Sequence, residues 1–392
     1  MLLVLAHGFS GLAFWGYFGT VFAEATFRFG ASASRMAVLG ASLSVPFILG
    51  SLLQGLVVDR WSPKWLSFLG YLAVVIAVPI AWAAPSLTWL YVSAFTVGGA
   101  FATIEPSRSA LTGLLVEESG LVQANGAIAV AFELSLVLGS LGGGLLLHAY
   151  DADVVYAAAF VIAAFPLVLI LPVPDVRQSG EQPAFSLADL RKGARTTWRH
   201  QQLRLLLVVT ALAWTLINAF FVLEPLFVKE VLHRGGDAVL YLWAAHGAGA
   251  LLGAMAVART KRGQGHEPAF VCSGIVAMGA GMLVYTGVGL YHVALVAAAV
   301  MGSGFALFFP PLLALIQRVV SEEQRGRVTG VFVALQETMG LVSSLLILAL
   351  GGLIVVRSTL MGAGALLAVI GVVGLRSPLR KPETQPVVDD DD

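Results

Sequence analysis

Charge is scarce in this sequence. Lys, Arg, Asp and Glu supply 12% of its 392 residues, where a soluble domain carries about 25%. Hydrophobic residues supply 58%, so most of the surface is not built for water. The 23 basic and 23 acidic residues cancel. That balance excludes a long-range field for nucleic acid or for an acidic partner. Cysteine is nearly absent, and the single Cys272 lies in an apolar run. An intramolecular disulfide and a thiolate metal cluster are therefore excluded. No His cluster stands at metal-ligand spacing, and there is no Gly-x-Ser-x-Gly elbow or phosphate loop. The sequence thus offers no catalytic set, no metal site and no cofactor site, and it does not read as an enzyme. Glycine, by contrast, is abundant, with 43 residues. The runs Gly139–Gly144 and Gly247–Gly253 lack a following Lys-Ser/Thr, so they read as close helix interfaces in lipid.

One stretch is written twice. Gly98-Gly-Ala-Phe101-Ala102 leads to Glu105-Pro106, with Gly126 and Glu133 beyond. Gly302-Ser-Gly-Phe305-Ala306 leads to Phe309-Pro310, with Gly330 and Glu337 beyond. One offset maps Phe101 on Phe305, Pro106 on Pro310, Gly126 on Gly330 and Glu133 on Glu337. Upstream, Gly50-Ser-Leu-Leu53 matches Gly249-Ala-Leu-Leu252, and Arg60 matches Arg259 at a slightly shorter offset. A repeat of half the chain means two similar halves. In so apolar a chain it marks a duplicated transporter bundle.

A bilayer core of about 30 Å needs about 20 apolar residues per helix. That rule predicts spans at 2–27, 36–58, 65–84, 88–112, 124–148 and 154–172, then at 203–229, 238–258, 268–289, 291–317, 328–351 and 357–375. The predicted fold class is an all-α membrane protein: twelve transmembrane helices in two pseudo-symmetric six-helix bundles, 1–172 and 203–375. The segment 2–27 reads as the first span and not as a removed signal peptide. Between the bundles, 173–202 is a polar linker. Its Ser186-Leu-Ala-Asp189 reads as a helix start, and Leu187, Leu190, Ala194 and Trp198 give a short interfacial face. The tail 376–392 ends in four Asp and reads as disordered. With the N-terminus cytoplasmic, only Arg28, Arg35, Lys229, Arg234 and Arg357 of the 23 basic residues face outward. The positive-inside bias therefore puts both termini in the cytoplasm.

The loop after the second span reads Gly55-Leu-Val-Val-Asp59-Arg60-Trp-Ser-Pro-Lys64. It resembles the signature Gly-x-x-x-Asp-Arg-x-Gly-Arg-Lys of the major facilitator superfamily. Ser62 and Pro63 replace its Gly and Arg, while Gly55, Asp59, Arg60 and Lys64 stand. The resemblance implies a cytoplasmic gate motif. The plain alternative is an ordinary basic inner loop. Further on come Pro106-Ser-Arg108-Ser-Ala-Leu111, Leu114-Leu-Val116, Leu121, Ala124-Asn125 and Gly142-Gly-Gly144. With Arg325-Gly326-Arg327-Val328 in the second half, these resemble the branch holding enterobactin exporters and macrolide and tetracycline efflux proteins. That resemblance covers nearly the whole chain. It implies a transporter working as a monomer in the bacterial cytoplasmic membrane, with export driven by proton entry.

Ionisable groups within spans are costly and usually line a cavity. Five acids qualify: Glu24, Glu105, Glu133, Glu224 and Glu337. Glu133 and Glu337 are repeat equivalents near the middle of spans 5 and 11. Such a carboxyl is able to take a proton at one face and release it at the other, and offers an anion to a cationic compound. The competing reading is a hydrogen bond to a neighbouring helix, worth about 0.6 kcal/mol. Glu24 and Glu224 nearly correspond, at the outer ends of spans 1 and 7, where they reach either the cavity or the headgroups. Glu105 stands one helical turn before Arg108, which predicts an ion pair. His7 and His246 lie on apolar helices and read first as packing residues. Asn218, Gln336, His246, Trp15 and Trp214 are cavity candidates, the rings through stacking and cation–π contact. Together these features point to alternating-access exchange of a small amphipathic or cationic compound, such as a drug, for protons. The partners are that compound, protons and the lipid bilayer. Rival readings are the same fold carrying a siderophore, lipid or nutrient, inward included; a polytopic membrane enzyme; and a non-transporting sensor.

Overall fold

The computed structural model describes residues 1–57, 61–176, 187–259 and 266–377. Those residues are all-helical. The helices are α1 (Leu2–Phe27), α2 (Ala33–Val57), α3 (Pro63–Trp82), α4 (Leu87–Leu115), α5 (Leu121–Ala149), α6 (Ala152–Ile170) and α7 (Leu187–Arg199). There follow α8 (Gln201–Glu230), α9 (Gly236–Arg259), α10 (Glu267–Val288), α11 (Tyr291–Val319), α12 (Glu322–Leu350) and α13 (Val356–Arg376). All but α7 are long and apolar enough to cross a membrane, which gives the twelve spans expected. The largest boundary difference is at α12, predicted from 328 but beginning at Glu322. Hydropathy marks only the apolar part of a helix, and here Gln324, Arg325 and Arg327 prolong it. Repeat-related Pro106 and Pro310 fall inside α4 and α11. Prolines are tolerated in spans because neighbours take up the freed backbone groups.

Contacts gather the chain into two compact units. The first holds Met1–Ala184, Glu224–Ala244 and Ser344–Leu353. Within it α1 packs on α5 and α6, α3 packs on α4 and α6, and α2 packs on α4. Small residues set the α1–α5 approach: a Cβ on Gly139 would stand 2.6 Å from the Leu12 carbonyl oxygen. Tyr71, Val74, Ile104, Leu111 and Ile170 form part of the buried apolar core. Some interior polar groups are matched: Tyr17 Oη meets Ser93 Oγ at 2.6 Å and Ser93 donates to the Ala77 carbonyl.

The second unit holds Phe185–Leu223, Ala245–Ser343 and Ile354–Asp392. Here α10 packs on α11 and α13. The repeat shows in its glycines. Gly98 of α4 lies against the Leu43 carbonyl and Pro46 of α2, and Gly302 of α11 lies against the His246 carbonyl of α9. In each half the repeated glycine seats a later span on the backbone of an earlier one, where any side chain would collide.

Helix α7 leads into the start of α8 and exposes Ala194 and Trp198, while Gly193, Thr196 and Thr197 are buried. The helix-start residue Ser186 and the tail beyond Ser377 lie outside the described residues.

Candidate functional site

The five intramembrane acids fall into two kinds. Glu24, 8% exposed, accepts from Arg28 Nη1 at 2.9 Å and from Tyr156 Oη at 2.8 Å. Glu224, 1% exposed, accepts from Trp243 Nε1 at 2.7 Å. Both carboxylates are thus buried inside the protein and held by donors. Glu105 forms the expected ion pair with Arg108, Nη2 to Oε2 at 2.7 Å. His7 Nδ1 stands 3.8 Å from its other oxygen, and the His7 ring stacks on Phe132 at 5.1 Å. The α1 histidine therefore joins a polar group with Glu105 and Arg108, besides packing.

Glu133 and Glu337 differ from these three. Each is half-buried in mid-helix, and neither has a hydrogen-bond or ion-pair partner among the described residues. On α5, Glu133 stands at the border of two faces. One side carries Phe132 and Gly139, turned to α1; the other carries exposed Val130, Leu134 and Leu138. On α12, Gln336 beside Glu337 is half-buried and likewise has no hydrogen-bond partner among the described residues.

Aromatic rings cluster within each unit. In the first unit Trp15 meets Phe14, Phe18, Phe132 and Trp243 at centroid distances of 5.0 to 6.3 Å. Its Nε1 is buried without an acceptor among the described residues. In the second unit Trp214 is 6% exposed and packs edge-on against Phe305, Phe308 and Phe309. His246 meets Phe221 at 5.6 Å and Phe305 at 6.2 Å. Asn218 donates to the Trp214 carbonyl at 2.8 Å, so its amide is partly committed to its own helix.

Sequence reasoning did not single out a seam within the first unit. There the end of α8 and the start of α9 meet α1 and α5. Lys229 Nζ donates to the Thr26 carbonyl at 2.8 Å, and His148 Nδ1 lies 2.9 Å from Asp237 Oδ2. The Trp243 ring lies near Phe18 and Phe22. A Cβ on Gly19 would meet Leu240, and one on Gly144 would meet Tyr241. No linear pattern announces such partners, which stand as far as 203 residues apart.

Of the gate motif, Asp59 and Arg60 lie outside the described residues, and Gly55 belongs to α2. Lys64 Nζ donates to the Leu171 carbonyl at 2.6 Å, and Ser62 Oγ bonds to Asp175. The α2–α3 connection is thereby tied to the end of α6. Pro106 and Arg108 sit on one turn of α4, where the Arg108 guanidinium is mostly buried.

The family model described as Major Facilitator Superfamily matches residues 3–344. The chain belongs to the major facilitator superfamily. It is an integral, multi-pass membrane transporter of small molecules, and not an enzyme. The MFS-type transporter YfiS of Bacillus subtilis (strain 168) is 27% identical over 396 residues, which cover 96% of this chain and 92% of that protein. Among solved structures, the nucleoside transporter NupG aligns with a TM-score of 0.73 at 12% identity, covering 96% of this chain and 98% of that one. A POT family transporter in complex with a thioalcohol-conjugated peptide gives a TM-score of 0.76 at 13% identity, covering 96% and 95%. At such identities these two structures speak for the fold alone.

Proposed function

We propose that this superfamily member exports small amphipathic or cationic compounds in exchange for protons, with Glu133 and Glu337 as the proton-carrying carboxylates. One observation supports this above the rest. These repeat-related acids are half-buried and without hydrogen-bond or ion-pair partners among the described residues, while Glu24, Glu105 and Glu224 are tied to donors. A carboxyl held by no donor is available for a proton in one state and for a cationic ligand in another. Trp15, with its spare indole N–H, supplies a ring and a donor to the compound. Asp59, Arg60 and Lys64 belong to the gate at the face that carries the termini, which the positive-inside rule places in the cytoplasm. Within the first unit, the Lys229, His148–Asp237 and Trp243 contacts tie α8 and α9 to α1 and α5. The transporter works as a monomer in a bacterial cytoplasmic membrane.

The test is proton movement in proteoliposomes that carry an internal pH dye. An imposed gradient is challenged with cationic dyes, macrolides, tetracyclines, siderophores, nucleosides and peptides. The proposal expects proton flux that depends on a compound of the cationic or amphipathic group and disappears in Glu133→Gln or Glu337→Gln. Flux driven by nucleosides or peptides alone, or flux indifferent to both substitutions, overturns it.

A further inference from the structure

Within the first unit, the end of α5 meets the start of α9, two helix termini of opposite polarity. His148 stands in the last turn of α5 and Asp237 in the first turn of α9. His148 Nδ1 lies 2.9 Å from Asp237 Oδ2. A helix C-terminus favours a cation and a helix N-terminus an anion, so both ends support this pair in its ionic form. The imidazole is 70% exposed and the carboxylate 23%, so protons from solution reach the pair. The rest of the contact is close and apolar. A Cβ on Gly143 would stand 2.7 Å from Leu240 Cδ2, and one on Gly144 would stand 2.9 Å from Tyr241 Cε1. Such packing does not respond to pH. The pair does, because an imidazole gains or loses its charge near neutrality.

The adjoining segments carry other titratable groups. These are Tyr241 of α9, Asp151 and Asp153 at the start of α6, Arg28 beyond α1, and Lys229, Glu230, His233 and Arg234 around the α8–α9 turn. Four of them are engaged elsewhere. Asp151 accepts from the Val154 amide, and Asp153 accepts from Trp82 Nε1. Arg28 donates to Glu24, and Lys229 donates to the Thr26 carbonyl. A phenol such as that of Tyr241 is uncharged where an imidazole titrates. By the count of spans, α5 ends and α9 begins at the membrane face opposite the start of α1. The pair holds the section of α9, up to Ala244, that belongs to the first unit.

From this we infer that His148 and Asp237 form a proton-responsive latch, which holds the start of α9 against the end of α5 when the imidazole is protonated and loosens when it is neutral. The sign follows from charge. At mildly acidic pH the partners are imidazolium and carboxylate, which attract. As pH rises through the imidazole titration, that attraction falls to the level of a neutral hydrogen bond. Acidity at the face opposite the start of α1 therefore favours the joined state of α5 and α9. The inference rests on the pair and its surroundings; neither Glu133 nor Glu337 need carry a proton for it to hold.

The test is a pulsed electron paramagnetic resonance distance measurement on the full-length protein in lipid nanodiscs, with nitroxides on Tyr150→Cys and Glu230→Cys. Both positions are exposed, and the native thiol of Cys272 is buried away from the label. The ratio of the short-distance to the long-distance population is expected to rise about two- to fivefold from about pH 8 to about pH 6, the scale of an exposed ion pair. In His148→Gln and in Asp237→Asn that pH dependence should vanish. His148→Lys, charged at both pH values, should keep the short distance at both. Salt at about 1 M should shrink the wild-type effect, because the pair is exposed. His148 is mostly exposed, which favours folded variants at that position. A wild-type ratio that does not change between the two pH values overturns the inference. So does an equal pH response in His148→Gln.

Discussion

The ends of α1 and α8 and the middles of α5 and α12 each carry a pair of repeat-related glutamates, and the two regions treat them differently. Glu24 and Glu224 are almost wholly buried and accept short hydrogen bonds from Tyr156 and Trp243. Glu133 and Glu337 are half-buried and accept none among the described residues. Duplication accounts for the position of all four, because a copied bundle copies its packing with its chemistry. The surroundings separate them. A buried carboxylate is costly unless it is paired, and the first pair has the donors that offset this cost. The second pair has none, which is an expensive arrangement for stability alone.

The comparison is sharpened first by proton flux. Glu133→Gln or Glu337→Gln should lower compound-dependent flux about 100-fold or more, the usual scale for a lost proton-transfer group. Glu24→Gln and Glu224→Gln should retain most of it in protein that remains monodisperse. If Glu24→Gln is well folded and silent, the division fails. Stability should run the other way. Tyr156→Phe and Trp243→Phe each remove a donor from a buried carboxylate and should cost about 1–3 kcal/mol in thermal unfolding. Packing near Glu133 is tested by Gly139→Ala, whose Cβ would meet the Leu12 carbonyl at 2.6 Å. Overpacking of this sort should cost about 1–3 kcal/mol. Gly126→Ala on the same helix meets nothing within 4 Å and should be nearly neutral. Glu105→Gln should also have a small effect. Its side chain is 34% exposed, so loss of the Arg108 pair should change stability by less than about 1 kcal/mol.

Much of the architecture was legible because a bilayer imposes length and hydropathy on each helix. Every predicted span has its helix, and the Glu105–Arg108 pair followed from spacing alone. The partners of Glu24 and Glu224 were not legible. Tyr156 lies 132 residues from Glu24, and nothing local distinguishes it from other span tyrosines. The same holds for Lys229 and Thr26, brought together only by packing. The latch pair was not legible either, since His148 and Asp237 lie 89 residues apart.

The most direct measurement is carbodiimide labelling of the four glutamates, read by peptide mass spectrometry in membranes. A carbodiimide adds to a carboxyl that is protonated and reachable. The account predicts adducts on Glu133 and Glu337, suppressed by a transported compound, with Glu24 and Glu224 left unmodified behind their donors. Adducts on Glu24 or Glu224 with Glu133 and Glu337 untouched would contradict it.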